Sequence, residues 1–374
     1  MSSLKTVALF HAAHSAEMES VAVDVLRSGQ IASGPKVAEF EARFGDAIGR
    51  SHVVCTNDMT SALMLALHLA GVGHGDEVLT LAYSCVSSNA PIALLGAKAV
   101  WVDIDPESAS MSAEDFERAL SPRTKAALLY HVAGYPGPAA QIAKLCKDRG
   151  VVLIEDCNNA LGATQSGVSV GQIGDYAVFS FYPNRQINAI DGGALACPDD
   201  ATAQRARRLR RFGINARTFR DRLGEIDPAS DIAEVGWSAS FNHLGATLGL
   251  TQLPFLSGRL ARTCRNARRL RDQLGNLARV RPIVSRIGDE PAYWAFLTLV
   301  DERDQLLAAL KLRGIHSSRL HHRNDDYSGF AAERRNLPGT NQLMSQVLAL
   351  PCGWWLTDEQ LDDLVQAVRE ECGA

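Results

Sequence analysis

Several things are missing from this chain of 374 residues, and each absence narrows what it does. There is no excess of basic charge. Lys and Arg number 38 against 42 Asp and Glu, a formal net charge of −4, so the balance favours neither nucleic acid nor an anionic membrane as partner. The eight cysteines form no CxxC pair and no metal-ligand spacing, which argues against a zinc site or a disulfide framework and reads as reduced thiols, mostly packed in a core. No apolar run is long enough to span a bilayer. The opening MSSLKTVALFHAAHSAEMES is broken by His11, His14, Glu17 and Glu19 and makes a poor signal peptide. Internal repeats and low-complexity segments are absent as well. What is left is a cytoplasmic protein with a small-molecule role.

What is there is a regular alternation. SHVVCTND, EVLTLAYS, KAVWVDID, KAALLYHVAG and VVLIEDC read as strands, separated by helical patterns such as MTSALMLALHLAGVGHGDE and AAQIAKLCKDRG. This predicts crossover units around a mainly parallel sheet. Such sheets bind ligands beyond the carboxyl ends of their strands, so residues 56–60, His131 and residues 156–159 are expected to crowd one rim. Alone, His131 or Asp156 reads as a satisfied core or capping residue; several polar strand ends on one rim strengthen the functional reading. A long charged helix runs through about Asn276, and after Arg281 the pattern changes to the strands and helices of a smaller unit, which predicts a large domain over 1–255 and a small α/β domain over 256–374. The stretch AQRARRLRRFGINARTFRDRL has helical character. It reads as a solvated, partly salt-bridged face, or else as a clamp for a phosphorylated or nucleotide-linked ligand.

The motifs SGPKVAEFE, HGDEVLTLAYSCVSSNA, IEDCNNALGA, VGQIGDYAVFSFYP, DGGAL and PCGWWLT, in this order, resemble the DegT/DnrJ/StrS sugar aminotransferases, pyridoxal-phosphate enzymes of fold type I. The resemblance implies an α/β fold, with a large domain around a mainly parallel sheet and a smaller C-terminal domain. It also implies a homodimer and a sugar or nucleotide-sugar substrate in amino sugar or secondary-metabolite biosynthesis. By the same resemblance, Asp156 pairs with the pyridine nitrogen of the cofactor and keeps the ring an electron sink. Asn159 lies near the ring hydroxyl, and Thr60, Ser61 and Ser180 lie at the cofactor phosphate. Cys85 lines the pocket, where a packed thiol is the plainer reading, and Asn242 belongs to a segment that reaches across the dimer.

Three positions depart from the family pattern. In the family a lysine stands at Arg185, where its amine forms the internal aldimine and shuttles a proton. A guanidinium stays protonated and is a very poor nucleophile, so the usual transamination cycle is expected to fail. The family's Ser-Gly-Thr phosphate turn is Asp58-Met59-Thr60 here, which puts a carboxylate where a phosphate dianion would sit; Asp58 also reads as a plain helix N-cap. Ser238 and Ser240 replace basic or aromatic residues. Four functions follow from these departures. The first keeps pyridoxal or pyridoxamine phosphate noncovalently, with His131 or a neighbour as base. The second has a repurposed pocket in which Arg185 pairs with Asp156 while Asp58, His131, Tyr83 and Cys85 line new space. The third is a non-catalytic subunit of a heteromeric partner. The fourth, ranked last, is an ordinary aminotransferase using another lysine among Lys36, Lys98, Lys125, Lys144, Lys147 and Lys311.

Overall fold

The computed structural model describes residues 6–330 and 334–373. At its centre is a seven-stranded sheet, in the spatial order Val53–Thr56, Gly193–Ala196, Tyr176–Ser180, Val152–Asp156, Thr124–Tyr130, Glu77–Leu81, Lys98–Val102. Only Gly193–Ala196 runs antiparallel to its neighbours. Strands such as VVCT, EVLTL and YAVFS are buried along their whole length, because helices cover both faces of the sheet; they therefore read as continuous apolar runs without alternation. On one side the amphipathic helix Lys36–Ile48 turns Phe40, Phe44 and Ile48 inward. Phe44 meets Phe179 and Phe181 edge to face, with ring centroids 5.3 and 4.9 Å apart. On the other, the helix Met59–Leu69 buries Ala62, Leu63, Leu65, Ala66 and Leu67.

A second, antiparallel sheet joins Val280–Pro282, Phe296–Val300 and Val347–Leu350, and the helices Arg303–Leu312 and Asp358–Cys372 accompany it. One apolar cluster runs without a break from Leu79, Leu129 and Leu153 of the central sheet to Phe296, Leu350 and Leu364. The N-terminal segment also ties into this second unit. Val7 bridges to Ile315, and the Trp355 indole N–H donates to the Ala8 carbonyl at 3.0 Å.

The arginine-rich stretch is helical only over Asp200–Leu209. Beyond it Phe212 and Gly213 take positive φ values of 57° and 86° and the chain turns into irregular loops. Three of its arginines are structural: Arg205 pairs with Glu234, while Arg207 and Arg210 converge on Glu41, which is buried. Five of the eight cysteines are buried, as the composition suggested; Cys85 is exposed, at the N-terminus of the helix Val86–Leu94. Among the described residues no helix is long and apolar enough to cross a membrane.

Candidate active site

Register decides which polar strand ends meet. In the parallel pair of Thr124–Tyr130 and Val152–Asp156, Tyr130 lies opposite Asp156. Neighbours in register share a face and successive residues alternate between faces, so Tyr130 and Asp156 point one way and Glu155 the other. His131 follows Tyr130 and joins the Glu155 side. Its Nε2 is 3.1 Å from Glu155 Oε2, and its Nδ1 accepts the Gly137 N–H at 2.9 Å. Glu155 also accepts the N–H groups of Gly171, Ile173 and Gly174 at 2.9, 2.9 and 2.6 Å. Burial by itself would raise the Glu155 carboxyl, but the His131 hydrogen bond and these N–H groups outweigh it and hold it below the ordinary value. The expectation of His131 as a pocket base is corrected on this geometry: both ring nitrogens are engaged on the opposite face.

On the Asp156 face a different group assembles. Asp156 is fully buried and accepts from Ser88 Oγ at 2.7 Å and from the backbone and side-chain N–H groups of Asn158 at 3.1 and 2.8 Å. Burial still dominates and raises its carboxyl above the usual range. The Tyr130 hydroxyl accepts from Asn159 Nδ2 at 2.7 Å and sits 3.3 Å from His321 Nε2. His321 arrives from the second unit, its ring edge-on to Tyr83 with centroids 5.4 Å apart. Burial, and then the nearby Arg185, pull His321 down to about 4, so it is neutral at pH 7.

Arg185 turns into this group. Its Nη2 donates to Asn158 Oδ1 at 3.0 Å and its Nη1 to Asn184 Oδ1. The guanidinium lies over the Trp294 ring, 5.0 Å from its centroid, a cation–π contact. Trp294 is itself fixed: its indole N–H donates to the Asn184 carbonyl at 3.0 Å, and its ring stacks with Phe10 at 4.0 Å. Burial pulls Arg185 down to about 10, which leaves it cationic at neutral pH. The direct Arg185–Asp156 ion pair considered from the sequence is not formed. Asn158 stands between them, donating to Asp156 and accepting from Arg185.

Thr60 and Ser61 lie in the first turn of the helix Met59–Leu69. Asp58 is its N-cap: Oδ1 accepts the Ser61 N–H at 2.7 Å and Oδ2 the Ser61 hydroxyl at 3.2 Å. The strand Gly193–Ala196 passes so close that a Cβ on Gly193 would stand 2.6 Å from the Asp58 carbonyl oxygen, which is why glycine is needed there. Asp191 lies near; burial, and then the Asp58 charge, raise its carboxyl. Ser180 Oγ accepts the Tyr182 N–H at 3.3 Å. Asn242 caps its own helix through the Gly245 N–H at 2.6 Å. Sequence reasoning assigned no role to Ser88, Tyr130, Asn158, Trp294 or His321. Two-residue alternation along KAALLYHVAG, combined with the strand register, would have put Tyr130 beside Asp156; Trp294 and His321 come from the second unit, in AYWAFLTLV and HHRNDDYSGF, and nothing local ties those segments to this strand end.

The family model of the DegT/DnrJ/EryC1/StrS aminotransferases matches residues 13–369. This chain belongs to that family. Among solved structures it is similar to the sugar aminotransferase CalS13 of Micromonospora echinospora, at 32% identity and TM-score 0.92, covering 97% of this chain and 99% of that one. AtS13 of Actinomadura melliaura matches at 31% identity and TM-score 0.91, with 98% of each chain covered. DesV of S. venezuelae, solved in complex with a ketimine intermediate, matches at 28% identity and TM-score 0.85, covering 96% of this chain and 95% of that one.

Against the pyridoxal-type cofactor implied for the aminotransferase family, the two ends of the pocket behave differently. The ring end fits: Asp156 is buried and ready for a pyridine nitrogen, and the buried Asn159 Oδ1 has no partner among the described residues. The phosphate end does not fit. Asp58 already takes a donor at the helix N-terminus and places negative charge there, with Asp191 beside it. The Arg185 guanidinium, for its part, cannot form an imine.

Proposed function

We propose that this chain acts in the biosynthesis of a sugar-derived metabolite and holds its ligand noncovalently, in a site that has given up lysine-dependent transamination. The carrying observation is the Arg185 guanidinium turned inward beside Asn158 and against Trp294; the reading takes Arg185 to stand where the family has its lysine. In this reading Arg185 meets an anionic group of the ligand, Asp156 and Asn159 meet its ring, and neutral His321 beside Tyr130 is the nearest group able to take a proton. The reading includes a sugar or nucleotide-sugar ligand, a homodimer in the cytoplasm, and the division into 1–255 and 256–374. Asn242 would then serve first as a helix cap, and Thr60, Ser61, Ser180 and Cys85 would line the altered end of the pocket.

The test is a titration with pyridoxal phosphate and, separately, pyridoxamine phosphate, followed by absorbance and heat, beside Arg185→Lys. The native chain is expected to give no aldimine band with pyridoxal phosphate. An aldimine band in the native chain, formed on any other lysine, would overturn the proposal and return the protein to ordinary aminotransferase chemistry.

A further inference from the structure

At the amino ends of three neighbouring parallel strands, Glu77–Leu81, Lys98–Val102 and Thr124–Tyr130, an opening of about 170 Å³ lies between Glu77, Lys98, Ser121, Arg123 and Arg335. Tyr130 ends the last of these strands, and the opening lies at its start, roughly 20 Å away at the ordinary rise of a strand. It is therefore at the far end of the sheet from Asp156. Lys98 and Arg123 are exposed, so the opening faces solvent. Its charges do not cancel. Glu77 is buried; its Oε2 accepts the Ser121 hydroxyl at 2.5 Å, and its Oε1 accepts Arg123 Nε and Nη2 at 2.8 and 2.5 Å. Burial alone would raise this carboxyl, but the bonds from Ser121 and Arg123 outweigh it and hold it below the ordinary value, so it is ionised and matched by Arg123. Arg335 is matched by Asp115, with Nη1 and Nη2 each 2.9 Å from a carboxylate oxygen, and its Nη1 also reaches the Trp101 carbonyl. Arg118, 3.5 Å from Asp115, is paired with Glu114. Lys98 is the cation left over: its ammonium makes no hydrogen bond or ion pair among the described residues and acts on Glu77 only through space.

Three cationic donors thus remain unspent among the described residues: Lys98 Nζ, Arg123 Nη1 and Arg335 Nε. They come from three separate segments, a strand start, the loop before Thr124 and the stretch before the helix Pro338–Gln346. A planar carboxylate offers two oxygens, whereas a tetrahedral oxyanion offers one to each donor, and an ammonium meets phosphate as a point charge. The opening far exceeds the roughly 10–15 Å³ that one water needs and falls short of the roughly 300 Å³ at which sites for drug-sized ligands begin. It has room for a small anion, or for the anionic head of a molecule whose remainder stays in solvent. We propose that it binds a phosphoryl group, as inorganic phosphate or as the head of a small phosphate ester, on Lys98, Arg123 and Arg335. This site does not depend on the reading of Arg185 given above.

The test is a calorimetric titration of the intact protein with inorganic phosphate, glycerol 3-phosphate and acetate at constant ionic strength, beside Lys98→Gln and Arg185→Gln. Lys98 is the informative position because its loss leaves both buried carboxylates with their arginines and the fold undisturbed. Saturable binding of inorganic phosphate or of glycerol 3-phosphate is expected, with acetate weaker on the order of tenfold. Lys98→Gln should weaken the phosphoryl ligand on the order of tenfold, and Arg185→Gln should leave it unchanged. Binding of inorganic phosphate alone identifies the free ion as the ligand; glycerol 3-phosphate binding at least as tightly identifies an organic phosphate. The proposal is overturned if neither phosphoryl ligand saturates, if acetate binds as tightly, or if Lys98→Gln binds like the native chain. Loss of binding in Arg185→Gln overturns it too, by placing the anion at the other end of the sheet.

Discussion

Glu155 and Asp156 are consecutive carboxylates at the end of one strand, both with 0% exposure, yet they do opposite things. Glu155 is surrounded by three backbone N–H groups and His131, which together overcome its desolvation. Asp156 has the Ser88 hydroxyl and Asn158 alone, and desolvation wins. Burial therefore does not distinguish a structural acid from a functional one; the number and kind of donors aimed at it does. Glu155 locks a loop to the sheet, whereas Asp156 has fewer donors aimed at it and its carboxyl stays raised.

The sharpest way to break this comparison is Glu155→Ala. It leaves His131 and three backbone N–H groups without their acceptor, and a loss on the order of 3–5 kcal/mol is expected in urea unfolding. A loss below about 1 kcal/mol would mean that the Glu155 network is no stronger than an exposed ion pair. Tyr130→Phe comes next. It strips the acceptor from Asn159 Nδ2 and from the Ala133 N–H, for an expected cost of about 1–3 kcal/mol.

Asp156→Asn should change stability at pH 7 by less than about 1 kcal/mol, because the carboxylate it replaces is itself strained by desolvation. The pH dependence sharpens the contrast. The folded value of Asp156 lies above its unfolded one, so it weighs against the fold above its folded value, and that penalty is relieved as pH falls through it. Glu155, held low, contributes stability that is present above its unfolded value and is lost as pH falls through its folded value. Acid unfolding curves of Asp156→Asn and Glu155→Gln should thus diverge from the native curve in opposite senses. The smallest effect belongs to a surface control. Glu234, hydrogen-bonded by Arg205 and then by His68, is held at about 2 but is 37% exposed, so Glu234→Gln should cost under about 1 kcal/mol. That loss should vanish as pH falls from the ordinary glutamate range toward 2.

The alternation of strands and helices was legible in the sequence because each crossover unit writes its own local pattern. Asp58 was legible as one of two alternatives, N-cap or phosphate competitor, and the geometry joins them: by capping, it occupies the helix terminus. His131 was misjudged because it takes strand register, a non-local quantity, to know which way a residue after the last strand position turns. Cys85 was expected to be packed, and is exposed because it precedes a helix at the sheet rim. The helical reading of the arginine-rich stretch failed beyond Leu209, where positive φ at Phe212 and Gly213 ends it. Trp294 and His321 lie far along the chain from Asp156, and their arrival beside Arg185 and Tyr130 is a tertiary contact that no local pattern encodes.

The stack of Phe10, Trp294 and Arg185 has a practical side. Phe10 lies ahead of residue 13, where the match to the family begins, so a residue outside the matched span supports the ring against which Arg185 lies. A version of this protein trimmed to start at Ala13 would keep the family motifs and lose the ring that backs Trp294, leaving the indole held by its hydrogen bond to the Asn184 carbonyl.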